Sequence, residues 1–372
     1  MMKIAVIGAG PGGLYAALAA RRQGIGVDLF EKRNVGEGIV CGECIFDSLN
    51  IMPKPGRGLL RPVEDVVLQG RHPYLFALSR HRPLWMLDRK TWQQGLAAKA
   101  RERGAVIREN FRVTRARLQH LQKEYDWVLD ASGAPSITSR LYGFADKYLQ
   151  DYMLAHQVVL AHDFSALMPR ITFAFFDHVP AEFQPAYYWI FPKDACLANV
   201  GVVCTVKKTL ARNQLDLKKL LAEVLQKEGL TGARVLARGS GIAAGRMLPC
   251  LVYQNTLLVG DAAGLTSPLH GGGIDMACLS GVLAVEAIAR GQSGVAGYAE
   301  KLADYLKEKE ALEKVTMRKM KTLSFDQYDK LLRGVTAPGR IARLKTALSH
   351  PDMFYVTMKW FGTKKNVPDW PV

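Results

Sequence analysis

The sequence predicts an α/β protein. It combines a Rossmann-type dinucleotide-binding domain, discontinuous along the chain, with an antiparallel-sheet domain and a helical C-terminal region. Three observations predict this. An apolar β-branched run, Ile4-Ala5-Val6-Ile7, leads into Gly8-Ala9-Gly10-Pro11-Gly12-Gly13 and then an Ala- and Leu-rich segment. A second apolar run, Thr256 to Val259, ends in Gly260-Asp261 and precedes a glycine cluster and another Ala- and Leu-rich segment. Between them, alternating apolar residues within 150–240 suit strands exposed on one face. The expected division is 1–60, 81–150 and 241–297 for the dinucleotide domain, 61–80 and 151–240 for the sheet domain, and 298–372 for the helical region.

In chain order, the first strand is Ile4 to Ile7, and the helix runs from Leu14 to Gln23 until Gly24 stops it. Val27 to Glu31 is the second strand. Gly8 permits the tight turn, Gly10 lets backbone approach a pyrophosphate, and Gly13 allows the helix to lie close to the strand. The helix N-terminus offers free N–H groups and the positive end of its dipole to phosphates. Glu31 stands where a carboxylate accepts a ribose 2′-hydroxyl. Leu87-Asp88-Arg89 opens a helix to about Arg103, and Asp126 to Gly133 is a strand ending beside the expected crevice. Ile171 to Phe176 and Tyr187 to Phe191 alternate as antiparallel strands, so Tyr187, Trp189 and Phe191 share a face.

The second glycine cluster points to FAD as the dinucleotide. A flavin lies extended across its domain and needs an anchor far from the pyrophosphate. Asp261, at a strand end, can accept from ribityl hydroxyls. Pro268, Gly271, Gly272 and Gly273 precede the helix Asp275 to Arg290, and the N–H groups of the glycines can face the flavin's pyrimidine edge, where charge develops on reduction.

These segments resemble the p-hydroxybenzoate hydroxylase-like superfamily of flavoprotein monooxygenases and reductases. Within it, the chain is similar to the geranylgeranyl reductases at three places. They are Val40-Cys41-Gly42-Glu43, the stretch Tyr187-Tyr188-Trp189-Ile190-Phe191-Pro192 with Ala198-Asn199-Val200-Gly201-Val202, and Gly260 to Ile274. The matches run from residue 3 to about 290. The last ~80 residues carry no motif, and Pro185-Ala186-Tyr187 is one residue short of the family's proline spacing. The resemblance implies that the antiparallel sheet roofs the flavin and that Tyr187, Trp189 and Phe191 line the substrate cavity. It also implies that Arg89 contacts the flavin nucleotide and that Cys41 is an active-site thiol. Cys44 stands in place of the family's glycine and raises the option of a Cys41–Cys44 disulfide. His270, in the flavin loop, is a second candidate proton donor.

The implied reaction saturates C=C bonds of a prenyl group on a lipid, a pyrophosphate or a tetrapyrrole ester, with hydride from flavin N5. Two alternatives stand beside it: an FAD-dependent aromatic monooxygenase, and an electron-carrying flavoprotein that docks a protein partner. The electron donor is NADPH or a ferredoxin-type carrier. No metal site is expected, because Cys41-Gly42-Glu43-Cys44 has no second ligand pair.

Composition narrows the partners. The 372 residues are 49% hydrophobic and 23% charged, and no run approaches the ~18 apolar residues of a membrane span. Six cysteines in a chain this long do not make a disulfide framework. A cytoplasmic location is expected, including a peripheral one at the inner face of the membrane. The net charge of +16 concentrates in residues 54–117, at +10, and 314–365, at +9. No nucleic-acid motif accompanies either stretch. From Leu331 to Phe361, bulky apolar residues interleave with Arg333, Arg340, Arg343, Lys345 and Lys359. That pattern suits an anionic membrane surface and equally a helical cap on the domain.

Overall fold

The computed structural model describes residues 2–78, 81–207, 215–337 and 339–372. Its architecture is the α/β fold that the sequence predicts. The dinucleotide sheet runs in the order Val252–Tyr253 (β15), Thr256–Leu258 (β16), Trp127–Asp130 (β9), Lys3–Ile7 (β1), Gly26–Phe30 (β2) and Val106–Arg108 (β8). Every pairing is parallel except β15 with β16. Buried on both faces, β1 and β9 read as continuous apolar runs rather than alternating ones.

Pro11–Arg22 (α1) and Ile274–Ala289 (α6) cross on this sheet almost backbone to backbone: a Cβ on Gly281 would lie 2.3 Å from the Gly12 carbonyl oxygen. That contact brings the two glycine-rich segments, far apart in the chain, side by side. Arg89–Glu102 (α2), Arg115–Glu124 (α3) and the short Ile137–Tyr142 (α4) complete the surround.

The second sheet has seven strands: Arg234–Ala243 (β14), Asp151–Ala161 (β10), Leu197–Lys207 (β13), Ala186–Pro192 (β12), Ile171–Phe175 (β11), Val66–Gln69 (β5) and Pro73–Phe76 (β6). Only β11 with β5 is parallel. Alternation along β12 divides its side chains between two cores. Tyr188 and Ile190 pack with Leu217, Leu220, Leu221 and Val224 of Leu217–Lys227 (α5). Tyr187, Trp189 and Phe191 pack on the opposite face with Val66, Met86, Met153 and Ile171.

A three-stranded sheet not expected from sequence joins the layers: Cys44–Phe46 (β3), Leu84–Leu87 (β7) and Leu59–Pro62 (β4). The boundary expected between 60 and 61 therefore falls inside a strand. The cause is local: strands of three or four residues are too short for periodicity to reveal.

The C-terminal region is helical: Gln292–Ala296 (α7), Tyr298–Thr322 (α8), Phe325–Thr336 (α9), Arg340–Ser349 (α10) and Pro351–Gly362 (α11). Asp329 of α9 accepts from the Arg71 N–H and the Tyr74 hydroxyl, both at 2.7 Å, which fastens the region to the β5–β6 hairpin. Trp370 returns to α1, meeting Tyr15 edge-on at 5.6 Å and donating to the Ile51 carbonyl. Among the described residues, no helix is long and apolar enough to cross a membrane.

Candidate active site

The dinucleotide end is built on the turn between β1 and α1. Gly8 has φ +99°, and a Cβ there would meet the Ala131 oxygen at 2.5 Å, so turn and close approach both demand glycine. A Cβ on Gly13 would lie 2.0 Å from the Gly8 oxygen, whereas one on Gly10 would meet nothing within 4 Å. Gly10 therefore faces open space at the start of α1. The helix there has no side-chain cap and no acid in its first turn, leaving its N–H groups to a ligand. Glu31 accepts from Ala9 N at 2.8 Å and Arg33 N at 3.0 Å, one bond per oxygen, and keeps acceptor capacity on both.

Arg89 follows the N-cap Asp88 at the start of α2. Its side chain donates to Gln93 at 2.6 Å, and Gln93 donates to the Ala9 carbonyl at 3.0 Å. The buried Arg89 Nε has no hydrogen-bond partner. An unpaired guanidinium N–H linked to the fingerprint turn suits a diphosphate, and a dinucleotide fits this donor set. Asp261 accepts from Thr266 Oγ1 at 2.9 Å. Burial raises its carboxyl, while the Thr266 bond and the Arg89 charge oppose that.

Residues 266–273 form a loop closed on itself. Ser267 N donates to the Gly272 carbonyl at 2.8 Å, and Gly271 N to the Ser267 carbonyl at 3.0 Å. Gly272 N donates to His270 Nδ1 at 3.2 Å. This corrects the expectation that Gly271, Gly272 and Gly273 all hold their N–H groups toward a flavin: the turn engages the first two. Pro268 packs against Gly245, where a Cβ would sit 2.7 Å from it. The His270 ring lies edge-to-face with Phe46 at 5.4 Å, and burial lowers its proton affinity.

The Cys41 segment meets the sheet through its backbone. The Cys41 carbonyl accepts from Asn199 Nδ2 at 3.0 Å and Gln157 Nε2 at 3.2 Å, and Asn199 Oδ1 accepts from Trp189 Nε1 at 2.8 Å. A Cβ on Gly42 would touch the Phe191 ring at 3.0 Å, and one on Gly201 would overlap the Trp189 ring at 2.3 Å. The Tyr187 hydroxyl donates to the His270 carbonyl at 2.7 Å. Tyr187, Trp189 and Phe191 are buried, and these contacts bring the aromatic strand, the Cys41 segment and the 266–273 loop together.

Cys41 Sγ accepts from Glu43 N at 3.3 Å and borders a cavity of about 170 Å³ that Lys90, Gln157 and Arg238 also line. Both Cys41 and Cys44 are free thiols. Cys44 is pushed up to about 12 by burial and by the neighbouring Cys41. Among the described residues, no cluster of metal-ligating side chains occurs.

Sequence reasoning passed over several residues that hold this arrangement. Glu43 accepts from Arg89 N at 3.1 Å and pairs with Lys193 at 2.7 Å. Asn199 and Glu43 stand inside motif segments quoted for their neighbours, a signal that could have found them. Glu313 of α8, buried with its partner Lys309, reaches the 266–273 loop with no such signal.

The chain is similar to known proteins. Residues 6–37 match the family described as NAD(P)-binding Rossmann-like domain. The chain is 30% identical to a digeranylgeranylglycerophospholipid reductase of Methanosphaerula palustris, covering 80% of this chain and 79% of that one. It is 26% identical to the protein of that name from Thermoplasma acidophilum, over 88% and 90% respectively. A solved structure described as geranylgeranyl bacteriochlorophyll reductase-like, from Thermoplasma acidophilum, superposes with a TM-score of 0.75 at 23% identity, covering 97% of this chain and all of that one. A flavin-dependent brominase gives a TM-score of 0.68 at 16% identity, over 94% and 99%. At such identities these structures speak for the fold alone.

Proposed function

The chain belongs to the digeranylgeranylglycerophospholipid reductase family, and from that premise we propose that it is an FAD-dependent reductase saturating double bonds in the geranylgeranyl chains of a glycerophospholipid. The observation that carries this reading is the convergence of the aromatic strand, the Cys41 segment and the 266–273 loop through Asn199 and Tyr187. An isolated alkene has no polar handle, so it must be positioned by apolar contacts and shielded from water. Tyr187, Trp189 and Phe191 supply that wall.

Gly8, Gly10, Gly13, Glu31, Arg89 and Asp261 would hold the FAD, with Gly273 and Pro268 in the loop beside it. Bound flavin supplies the hydride. The chain's own part is to orient the alkene and hold a proton for its second carbon. Cys41 Sγ and His270 are the proton-bearing groups in the segments that meet the aromatic strand. Under this reading, 1–60, 81–150 and 241–297 serve the cofactor and 61–80 with 151–240 serve the substrate. The single dinucleotide fingerprint leaves reduced nicotinamide to bind transiently, or a ferredoxin-type carrier to deliver electrons at the surface.

A lipid substrate also gives the C-terminal helices a role, as a peripheral contact with the anionic inner face of a bilayer. Ile341, Leu344 and Leu348 recur along one side of α10 at 74%, 59% and 73% exposure. Phe354, Tyr355 and Met358 of α11 are at least half exposed, and Lys345 and Lys359 are exposed beside these apolar residues. The side chains of Arg340 and Arg343 lie outside the described residues. Apolar side chains flanked by cations complement an anionic lipid surface.

The test of the reaction is anaerobic. The flavin is reduced chemically, and a digeranylgeranyl phospholipid is then added. Reoxidation that requires the alkene supports the reading. Reoxidation only by oxygen with hydroxylation of a small aromatic, or only by a protein acceptor, would replace it with one of the two alternatives.

A further inference from the structure

Helix α8 carries a buried ion pair that the reaction as described does not use. Lys309 Nζ lies 2.8 Å from Glu313 Oε1, one helical turn along, and both side chains are only 6% exposed. Residues this polar are seldom buried so completely without a structural or chemical reason. The pair faces the 266–273 loop. Ser267 Oγ donates to the same Glu313 oxygen at 2.6 Å and accepts from Leu269 N at 3.2 Å and His270 N at 3.3 Å. His270 Nε2 lies 3.9 Å from that oxygen.

The hydrogen bonds assign the histidine's protons. Gly272 N donates to Nδ1, so a neutral His270 carries its proton on Nε2, the nitrogen facing Glu313. A second proton has to enter at Nδ1. There it turns an acceptor into a donor and breaks the bond from Gly272, freeing that N–H.

We propose that Glu313 and Lys309 are positioning residues that set the charge state of His270, and through Nδ1 decide whether the Gly272 N–H is held within the loop or released to a bound ligand. This rests on the reading of the loop as flavin-facing and deepens it. Charging His270 and offering a donor to the cofactor become one event, controlled from a helix outside both sheets.

The charged groups around the imidazole are few. Burial disfavours its cation, Glu313 and Asp275 favour it, and Lys309 opposes it. Phe46 contributes only ring packing, and the Tyr187 hydroxyl is spent on the His270 carbonyl. Asp275 is itself bonded by Ser48 N at 3.1 Å and Ser48 Oγ at 2.6 Å. Removing the Glu313 charge should therefore lower the His270 proton affinity, and removing the Lys309 charge should raise it. A purely structural role for the pair would not produce opposite signs.

The experiment is an NMR titration of the FAD-loaded protein with labelled histidine and glycine, for the unaltered chain, Glu313→Gln, Lys309→Met and the double variant. Gln at 313 retains an acceptor for Ser267. The double variant removes both charges together and keeps the test intact if Lys309→Met alone fails to fold. The proposal expects shifts of about half a pH unit or more in opposite directions, with the double variant between them. It also expects the Gly272 amide to titrate with the His270 midpoint. Unmoved midpoints, shifts of the same sign, or a Gly272 amide indifferent to His270 would overturn it. Failure of the underlying reading looks different: the opposite shifts and the Gly272 response would persist while the absorbance of the bound flavin stays indifferent to the His270 titration.

Discussion

Asn199 links two parts of the site that are far apart in sequence. Its side chain accepts from the Trp189 indole and donates to the Cys41 carbonyl, so strand and loop are registered by one amide. Asn199→Ala should leave a buried indole N–H unpaired, at a cost of roughly 1–3 kcal/mol, and let the Cys41 segment drift. The expected outcome is a lower melting temperature and turnover reduced at least tenfold, with FAD content unchanged. Asn199→Asp keeps the acceptor for Trp189 and loses the donor, so it should retain the stability better than the rate. Cys41→Ala addresses the thiol itself: the proton-donor reading expects slowed alkene reduction with flavin reduction intact, and an unaffected rate would assign the proton to another group. Cys44→Ala should leave the rate unchanged, since burial holds that thiol neutral and it pairs with no cysteine.

At the scale of elements, local signals were legible and long-range ones were not. The Gly8 to Gly13 turn could be read from sequence because its reasons lie within a few residues: a positive φ and an oxygen 2.0 Å from a would-be Cβ. The start of α2 was equally legible, since Asp88 accepts from Thr91 N at 2.9 Å as an N-cap. The closed 266–273 turn was not, because the partner of Gly272 is the His270 ring rather than a residue type that sequence singles out. Lys309 and Glu313 were least legible of all. A Lys–Glu pair four apart on a helix rich in both residues reads as a solvated face, and only the tertiary fold buries it.

The Asp88 cap also yields a stability prediction. Burial raises its carboxyl, but the hydrogen bonds from Thr91 and the Lys90 N–H, with the Lys193 charge, together outweigh that, and its proton affinity ends below the ordinary range. A depressed folded value contributes stability above the unfolded pKa, and that stability is lost as pH falls through the folded one. Asp88→Ala should therefore cost about 1 kcal/mol at neutral pH, with the difference from the unaltered chain shrinking in acid. Melting curves taken between neutral and strongly acidic pH check this. A difference that stays constant with pH would mean the carboxylate is not the cap.

At the scale of the molecule, the +16 charge and the exposed apolar residues of α10 and α11 bear on the same question. A lipid-handling enzyme must reach chains that prefer a bilayer to water. The protein should sediment with anionic vesicles, be released as salt rises, and ignore zwitterionic ones. Ile341→Asp with Leu348→Asp should weaken that binding at least tenfold while leaving reduction of detergent-dispersed substrate intact. Equal binding to both vesicle types would assign the patch to another partner.

One measurement tests the reaction itself. The FAD-loaded protein, reduced under anaerobic conditions, is incubated with a digeranylgeranyl glycerophospholipid, and the recovered lipid is weighed by mass spectrometry. The expected result is a ladder of products, each heavier by two hydrogens per saturated double bond, reduced in amount by Asn199→Ala and absent without reductant. Lipid recovered unchanged from fully reduced, FAD-loaded protein, or lipid that has gained oxygen instead of hydrogen, would contradict it.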